Sequence, residues 1–170
     1  EPFPSQADAA SAQLKRQIHQ ALLKRVDYGV LQRMDEQQLA ARISQLTAAA
    51  ISETSGSLSQ RARLQLETEV FNEVAGYGPI QEYLADPLVT EIMVNGPKQI
   101  VIEHSGRLQF TERSFDDDAH VMRIIEKIVN PLGRRIDESS PMVDARLPDG
   151  SRVNAIIPPL SLEGPCLTIR

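Results

Sequence analysis

Val89–Thr111 reads VTEIMVNGPKQIVIEHSGRLQFT, and the punctuation of that stretch decides the fold around it. Three runs rich in β-branched residues, Val89 to Asn95, Gln99 to His104 and Arg107 to Thr111, are separated by Asn95-Gly96-Pro97 and by Ser105-Gly106. A two-residue break ending in glycine is hairpin chemistry, because such a turn needs backbone conformations that glycine adopts without steric cost. Consecutive strands joined by tight turns can only pair antiparallel. The stretch therefore predicts an antiparallel meander.

Downstream the same grammar returns. Met142 to Leu147 and Ser151 to Ile157 flank Pro148-Asp149-Gly150, a strong turn, and read as a second strand pair. Pro158-Pro159 ends that pair, and Cys166 to Arg170 supplies a last strand. Between the two strand groups a helix is predicted from Asp116 or Asp117 to Asn130, with Ala119, Met122, Ile125 and Val129 inward and Pro131 ending it. A short helix from Pro79 to Ala85 precedes the first strand, with Pro79 at its first position.

Upstream of Gly76 the period changes from two to near four. Leu14, Ile18, Leu22 and Val26 recur every four residues, with Leu23 widening the stripe. A second helix is predicted from Asp35, where Gln38 three residues on completes a capping-box pattern, with Leu39, Ile43, Leu46 and Ala50 inward. Ser55-Gly56-Ser57 breaks it, and a third helix from Ser59 to Gly76 buries Leu64, Val70, Phe71 and Val74. The expected class is α+β: a loose arm over 1–10, an antiparallel three-helix bundle over 11–75, and over 76–170 a mainly antiparallel sheet domain with flanking helices. No internal repeat is visible.

Bulk composition narrows the function. At 170 residues, with 41% hydrophobic and 24% charged residues, the chain reads as globular. Aromatics make up only 4%, with no Trp, so platforms for stacking bases are poorly supplied, and a net charge of −5 argues against binding a phosphate backbone. No nucleic-acid partner is expected. The single cysteine, Cys166, rules out an intrachain disulfide and fits a reducing compartment. No apolar run approaches the ~20 residues a bilayer span needs, and no leader pattern opens the chain. These features predict a cytoplasmic protein.

The chemistry concentrates in Arg134–Arg170, where Arg134, Arg135, Arg146 and Arg152 stand among turn residues and a fifth arginine, Arg170, closes the last apolar run. Arginine suits phosphate because its planar fork donates paired hydrogen bonds and never loses its charge. Asp137, Glu138, Asp144 and Asp149 balance the four internal arginines, so ordinary surface ion pairs are the competing reading. A strand-like run ending at Arg170 predicts more protein beyond it, and an opening Glu1 in place of Met predicts a trimmed chain.

Several blocks of this region, Gly78-Pro79-Ile80, Asp86-Pro87 with Val89 to Pro97, GRRIDE (Gly133 to Glu138), PMVDARLPDGSRVNA (Pro141 to Ala155) and Ile157 to Leu160, resemble the amino-terminal portion of the CpaF-type ATPases of Tad (Flp) pilus assembly, in the type II/type IV secretion ATPase superfamily. The resemblance is strong over 70–170 and loose before it. It implies that a RecA-like domain with a phosphate-binding loop follows. No G-x-x-x-x-G-K-[ST] run occurs here, so the piece should not hydrolyse ATP alone. By position in the motif, it implies that Arg146 and Arg152 approach nucleotide bound on the RecA-like domain, with Arg134 and Arg135 weaker choices and Arg170 at the junction. ATP and Mg2+ would serve the full-length protein, and no cofactor is expected on this piece. Implied partners are its own RecA-like domain, neighbouring subunits of a hexamer and inner-membrane pilus or secretion components. The location would then be cytoplasmic and peripheral at the inner membrane. The function so implied is nucleotide sensing and partner docking, coupling ATP hydrolysis to pilus assembly or secretion. A stand-alone, non-enzymatic binding or ligand-sensing module is the alternative.

Other motifs carry less. Asp116-Asp117-Asp118 would converge poorly on one cation and reads as a helix N-cap. His19, His104 and His120 are scattered without ligand spacing, so no metal is expected, and His120 reads as solvated. Asp137, Glu138 and Ser139 could be taken for a small hydrolase site, but no base or nucleophile elbow accompanies them. Cys166 reads as packing, and Gly76-Tyr77-Gly78-Pro79 as a joint. Residues 1–76 hold eight basic and nine acidic residues, so no cationic face favours a membrane surface, and docking of a protein partner is the better reading of the bundle.

Overall fold

The computed structural model describes residues 17–19, 21–22, 28–31, 33–54 and 58–170. The chain divides into two compact units, Glu1–Gly76 and Tyr77–Arg170.

The first unit is helical. It contains α1 (Tyr28–Leu31), α2 (Glu36–Glu53) and α3 (Gln60–Val74), and residues 17–19 and 21–22 are also helical. The start of α2 is the capping box expected from Asp35 and Gln38: the Asp35 carboxylate accepts from the Gln38 amide at 2.8 Å, and the Gln38 side chain accepts from the Asp35 amide at 3.4 Å. Ser59 caps α3 by accepting from the Ala62 amide at 3.2 Å. Leu39, Ile43 and Ala50 of α2 share one core with Leu66, Val70 and Val74 of α3 and with Ile18 and Leu22.

One inward assignment is corrected. Leu64 is 56% exposed, and Leu66 takes its place. The buried stripe Leu66, Val70, Val74 repeats at intervals of four, and Leu64 lies two residues off it, on the far side of a 3.6-residue turn. Leu14, Leu23, Val26 and the 1–10 arm lie outside the described residues.

The second unit is a single antiparallel sheet with a helix on one face. A 3-10 turn, Gly78–Ile80, where a plain helix start is expected, leads into α4 (Gln81–Leu84). Then follow β1 (Val89–Asn95), β2 (Ile100–His104), β3 (Arg107–Phe110), α5 (Asp118–Val129), β4 (Met142–Arg146), β5 (Arg152–Ile156) and β6 (Cys166–Ile169). Spatial order is β3-β2-β1-β6-β5-β4, every neighbouring pair antiparallel. The last strand thus sits in the middle and joins the two hairpin groups. The chain is therefore α+β, as its patterning predicts.

Register sorts the side chains. Ile92 pairs with Ile102 on one side and Ile169 on the other, and Val94 with Ile100 and Leu167. Val153 opposite Ile169 and Ala155 opposite Leu167 continue the same face, and all are buried. Helix α5 covers this face with Val121, Ile124, Ile125, Ile128 and Val129. That stripe corrects the expected one. Ala119 is exposed and Met122 half-buried, because burying Val121, Ile124 and Ile128 removes more apolar area from water, at ~1.5–3 kcal/mol for each such side chain.

The Asp117 carboxylate caps α5, accepting from the His120 amide at 2.8 Å. His120 itself is not solvated. It is 2% exposed, stands edge-on to Phe115 at 5.0 Å, and accepts the Asp116 amide at Nδ1 over 3.3 Å. The Ser105-Gly106 turn has φ values of 52° and 75°, the left-handed pair a two-residue hairpin requires.

Candidate functional site

The β4–β5 hairpin sets the first two arginines opposite each other: Arg146 pairs with Arg152 in the register of the two strands. Arg152 also exchanges both backbone hydrogen bonds with Arg170, at 2.8 and 2.9 Å, across to the end of β6. Because the backbone of Arg152 is committed to β6, its pairing with Arg146 is of the non-hydrogen-bonded kind, in which side chains approach more closely. Directly opposed residues of antiparallel strands point to the same face, with Cβ atoms ~5 Å apart. Val153 and Ile169, next in sequence, face the core, so the arginines face away from α5. Arg146, Arg152 and Arg170 therefore form one row across three strands, and all three are exposed.

Neutralisation of this row is sparse. The Arg152 guanidinium has one carboxylate near it, Asp144 at 3.7 Å, a long contact between two exposed groups. Among the described residues, no ion pair reaches the side chain of Arg146 or Arg170. Like charges set directly opposite are destabilising in a sheet. The next row on the same face, Asp144, Asn154 and Thr168, offers a carboxylate, an amide and a hydroxyl. Three guanidinium groups, a carboxylate, an amide and a hydroxyl thus share this face.

The other two arginines do not join it. Arg134 and Arg135 lie after the 3-10 turn Asn130–Leu132, where the Arg134 amide bonds the Val129 carbonyl at 3.2 Å. Arg135 pairs with Asp137 at 2.6 Å. The Asp137 carboxylate also accepts from the Ser139 and Ser140 amides at 2.9 and 3.0 Å. The Ser140 bond in the first place, with the Ser139 bond and Arg135 adding, holds its pKa below the ordinary carboxylate value. Asp137 and Ser139 thus build a turn, not a nucleophile with its base. Cys166 is half-buried on β6 against the Ser161 hydroxyl at 3.5 Å. No cluster of metal-ligating side chains occurs among the described residues. No described helix is long and apolar enough to cross a membrane.

Sequence reading picked out Arg146 and Arg152 and treated Arg170 as a junction residue. Their equal distance from the Pro148-Asp149-Gly150 turn is the signal that pairs the first two. Nothing local announces that Arg170 completes the row, or that Asn154 and Thr168 stand beside it, because the β5–β6 pairing spans a loop with no such symmetry.

Residues 73–170 match the family described as Type II/IV secretion system protein, more than half of the 170-residue chain. An uncharacterized protein of Methanocaldococcus jannaschii is 43% identical over 94 residues, 55% of this chain and 13% of that protein. A putative conjugal transfer protein of Mycobacterium tuberculosis is 27% identical over 104 residues, covering 58% and 30%. The type IV secretion system protein VirB11 of Brucella suis is 28% identical over 86 residues, covering 51% and 24%. The crystal structure of the VirB11 ATPase from the Brucella suis type IV secretion system, in complex with sulphate, aligns at 26% identity with a TM-score of 0.48, over 54% of this chain and 29% of its own. The matched part spans 13% to 30% of the length of these relatives.

Proposed function

The chain belongs to the type II/IV secretion system protein family, and from that premise we propose that it is the amino-terminal region of a secretion or pilus-assembly ATPase of the CpaF (Tad) type. In this reading a RecA-like domain follows Arg170 and carries the phosphate-binding loop. The row Arg146, Arg152, Arg170 faces nucleotide held there, with ATP and Mg2+ as the cofactors of the complete protein. Arg134 and Arg135, engaged in their own turn, have at most a secondary part.

The observation that carries this reading is the sparsely neutralised row itself. Three arginines opposed on one sheet face cost stability that an ordinary surface has no reason to give up. A polyphosphate would offset that repulsion, and arginines arriving from across a domain or subunit boundary stabilise charge developing on a leaving phosphoryl group. The helical unit 11–75 would be a three-helix bundle that docks membrane components of the machine. The assembly would be hexameric, cytoplasmic and peripheral at the inner membrane.

The test is steady-state ATP hydrolysis by the longer native protein with Arg146→Ala and Arg152→Ala. The expected result is a loss of turnover on the order of 10²-fold or more, with oligomeric state unchanged. Unchanged turnover in both variants would reduce the row to surface charge and move the role of this unit towards docking.

A further inference from the structure

The arginine row does not end at β6. The β1–β6 register pairs Ile92 with Ile169 and Met93 with Thr168, so one step further along Glu91 falls opposite Arg170. Glu91 is in turn paired with Glu103 on β2. Ile92, Ile102 and Ile169 face the core, and their chain neighbours Glu91, Glu103 and Arg170 therefore share the outer face. From β4 to β2 the row reads Arg146, Arg152, Arg170, Glu91, Glu103. Neighbouring strands lie about 4.8 Å apart, which sets Glu91 one strand spacing from Arg170.

Both carboxylates are half-buried, and among the described residues no ion pair neutralises either of them. Glu103 accepts a hydrogen bond from the Thr90 hydroxyl at 3.0 Å, which orients it without cancelling its charge. Like charges directly opposite each other destabilise a sheet, so Glu91 with Glu103 carries the same kind of cost as Arg146 with Arg152. Carboxylates also flank the arginines along the strands: Asp144 in the next row on one side, and Asp149 at the hairpin tip on the other. Three guanidinium groups therefore stand among four carboxylates, and the patch has no net positive charge.

We infer that Glu91 and Glu103 are specificity residues of this row: they restrict it to a short polyphosphate and turn away an extended polyanion. Such selection presupposes that the row faces phosphate, as proposed above. Extended polyanions bind through the summed field of many cations and the counterions that those cations release. Three arginines ringed by carboxylates supply little of that. A short phosphate chain needs only the paired hydrogen bonds of the guanidinium forks, which act at contact distance. It can lie over β4 to β6 without reaching β1. A longer anion that follows the row past Arg170 meets Glu91 and then Glu103, both within a Debye length of about 10 Å at moderate salt. Like-charge contact of this kind is a means of excluding a wrong partner.

Calorimetric titration of the 170-residue chain with inorganic tripolyphosphate and with long-chain inorganic polyphosphate tests this, because the two probes share one chemistry and differ in length. Glu91→Gln with Glu103→Gln is expected to tighten binding of the long chain at least about tenfold more than binding of tripolyphosphate. Glu91→Asp with Glu103→Asp keeps both charges and should keep the wild-type discrimination. An equal change for both probes in the glutamine variant, or no change, would make Glu91 a plain counter-ion of Arg170 and overturn the selection, with the nucleotide reading intact. Loss of discrimination in the aspartate variant would overturn it too, since shape and not charge would then be at work. If neither the wild type nor the glutamine variant binds either probe, the phosphate-facing reading falls and the selection falls with it.

Discussion

The two faces of the six-stranded sheet are read from the same strands yet obey different demands. On the face under α5, each row from β2 to β5 is aliphatic: Ile102, Ile92, Ile169 and Val153, then Ile100, Val94, Leu167 and Ala155. On the opposite face, the residues between them are Arg146, Arg152 and Arg170 in one row and Asp144, Asn154 and Thr168 in the next. The first face is arranged for burial. The second, over β4 to β6, accepts electrostatic repulsion that burial elsewhere must offset. The difference teaches that the β4–β6 half is held in position by one face so that the other can present charge.

That contrast can be broken at either face. The largest effect belongs to the covered one. Leu167 is 1% exposed at the centre of the sheet, and Leu167→Ala should cost about 2–5 kcal/mol, the transfer term plus the cavity left behind. Chemical denaturation would measure this, and a loss below about 1 kcal/mol would mean that the core does not rest on β6. On the charged face the sign reverses. Arg146→Thr removes one like charge opposite Arg152 and inserts a good strand former. It should raise stability by about 0.2–1 kcal/mol, while on the proposed reading the same change in the complete protein lowers ATP turnover. A destabilised variant would show that the row is already neutralised.

The smallest effect concerns the Asp137 turn, in which the Asp137 carboxylate pairs with Arg135. Its carboxyl pKa is lowered from 3.8, chiefly by the Ser140 amide. A depressed folded pKa contributes stability above the ordinary value and loses it as pH falls through the lowered one. The turn should therefore be insensitive to pH between about 5 and 7 and loosen only below the ordinary carboxylate value. A carbon-13 titration of the Asp137 carboxyl reads this directly, and a midpoint at or above 3.8 would remove the turn's hold on the anion.

Local signals carried far in this chain. Ser105-Gly106, Asp35 with Gln38, Ser59 and Asp117 mark turns and helix starts at the residues where the structure has them. Where reading from sequence slipped, the cause was competition within one element. Helix α5 contains two overlapping apolar stripes, and the choice between Ala119 and Val121, with the burial of His120, depends on what the sheet offers opposite.

The sequence by itself determined the antiparallel grammar, the α+β class, the type II/IV secretion family and the two paired strands that carry Arg146 and Arg152. Each of these depends on turn chemistry and spacing within a few dozen residues, where the chain's own geometry limits the outcomes. Only the tertiary structure decided that β6 inserts between β1 and β5, bringing Arg170 into the row. Strand order is set by which arrangement buries the most aliphatic surface against α5, a sum over distant residues that no local pattern contains.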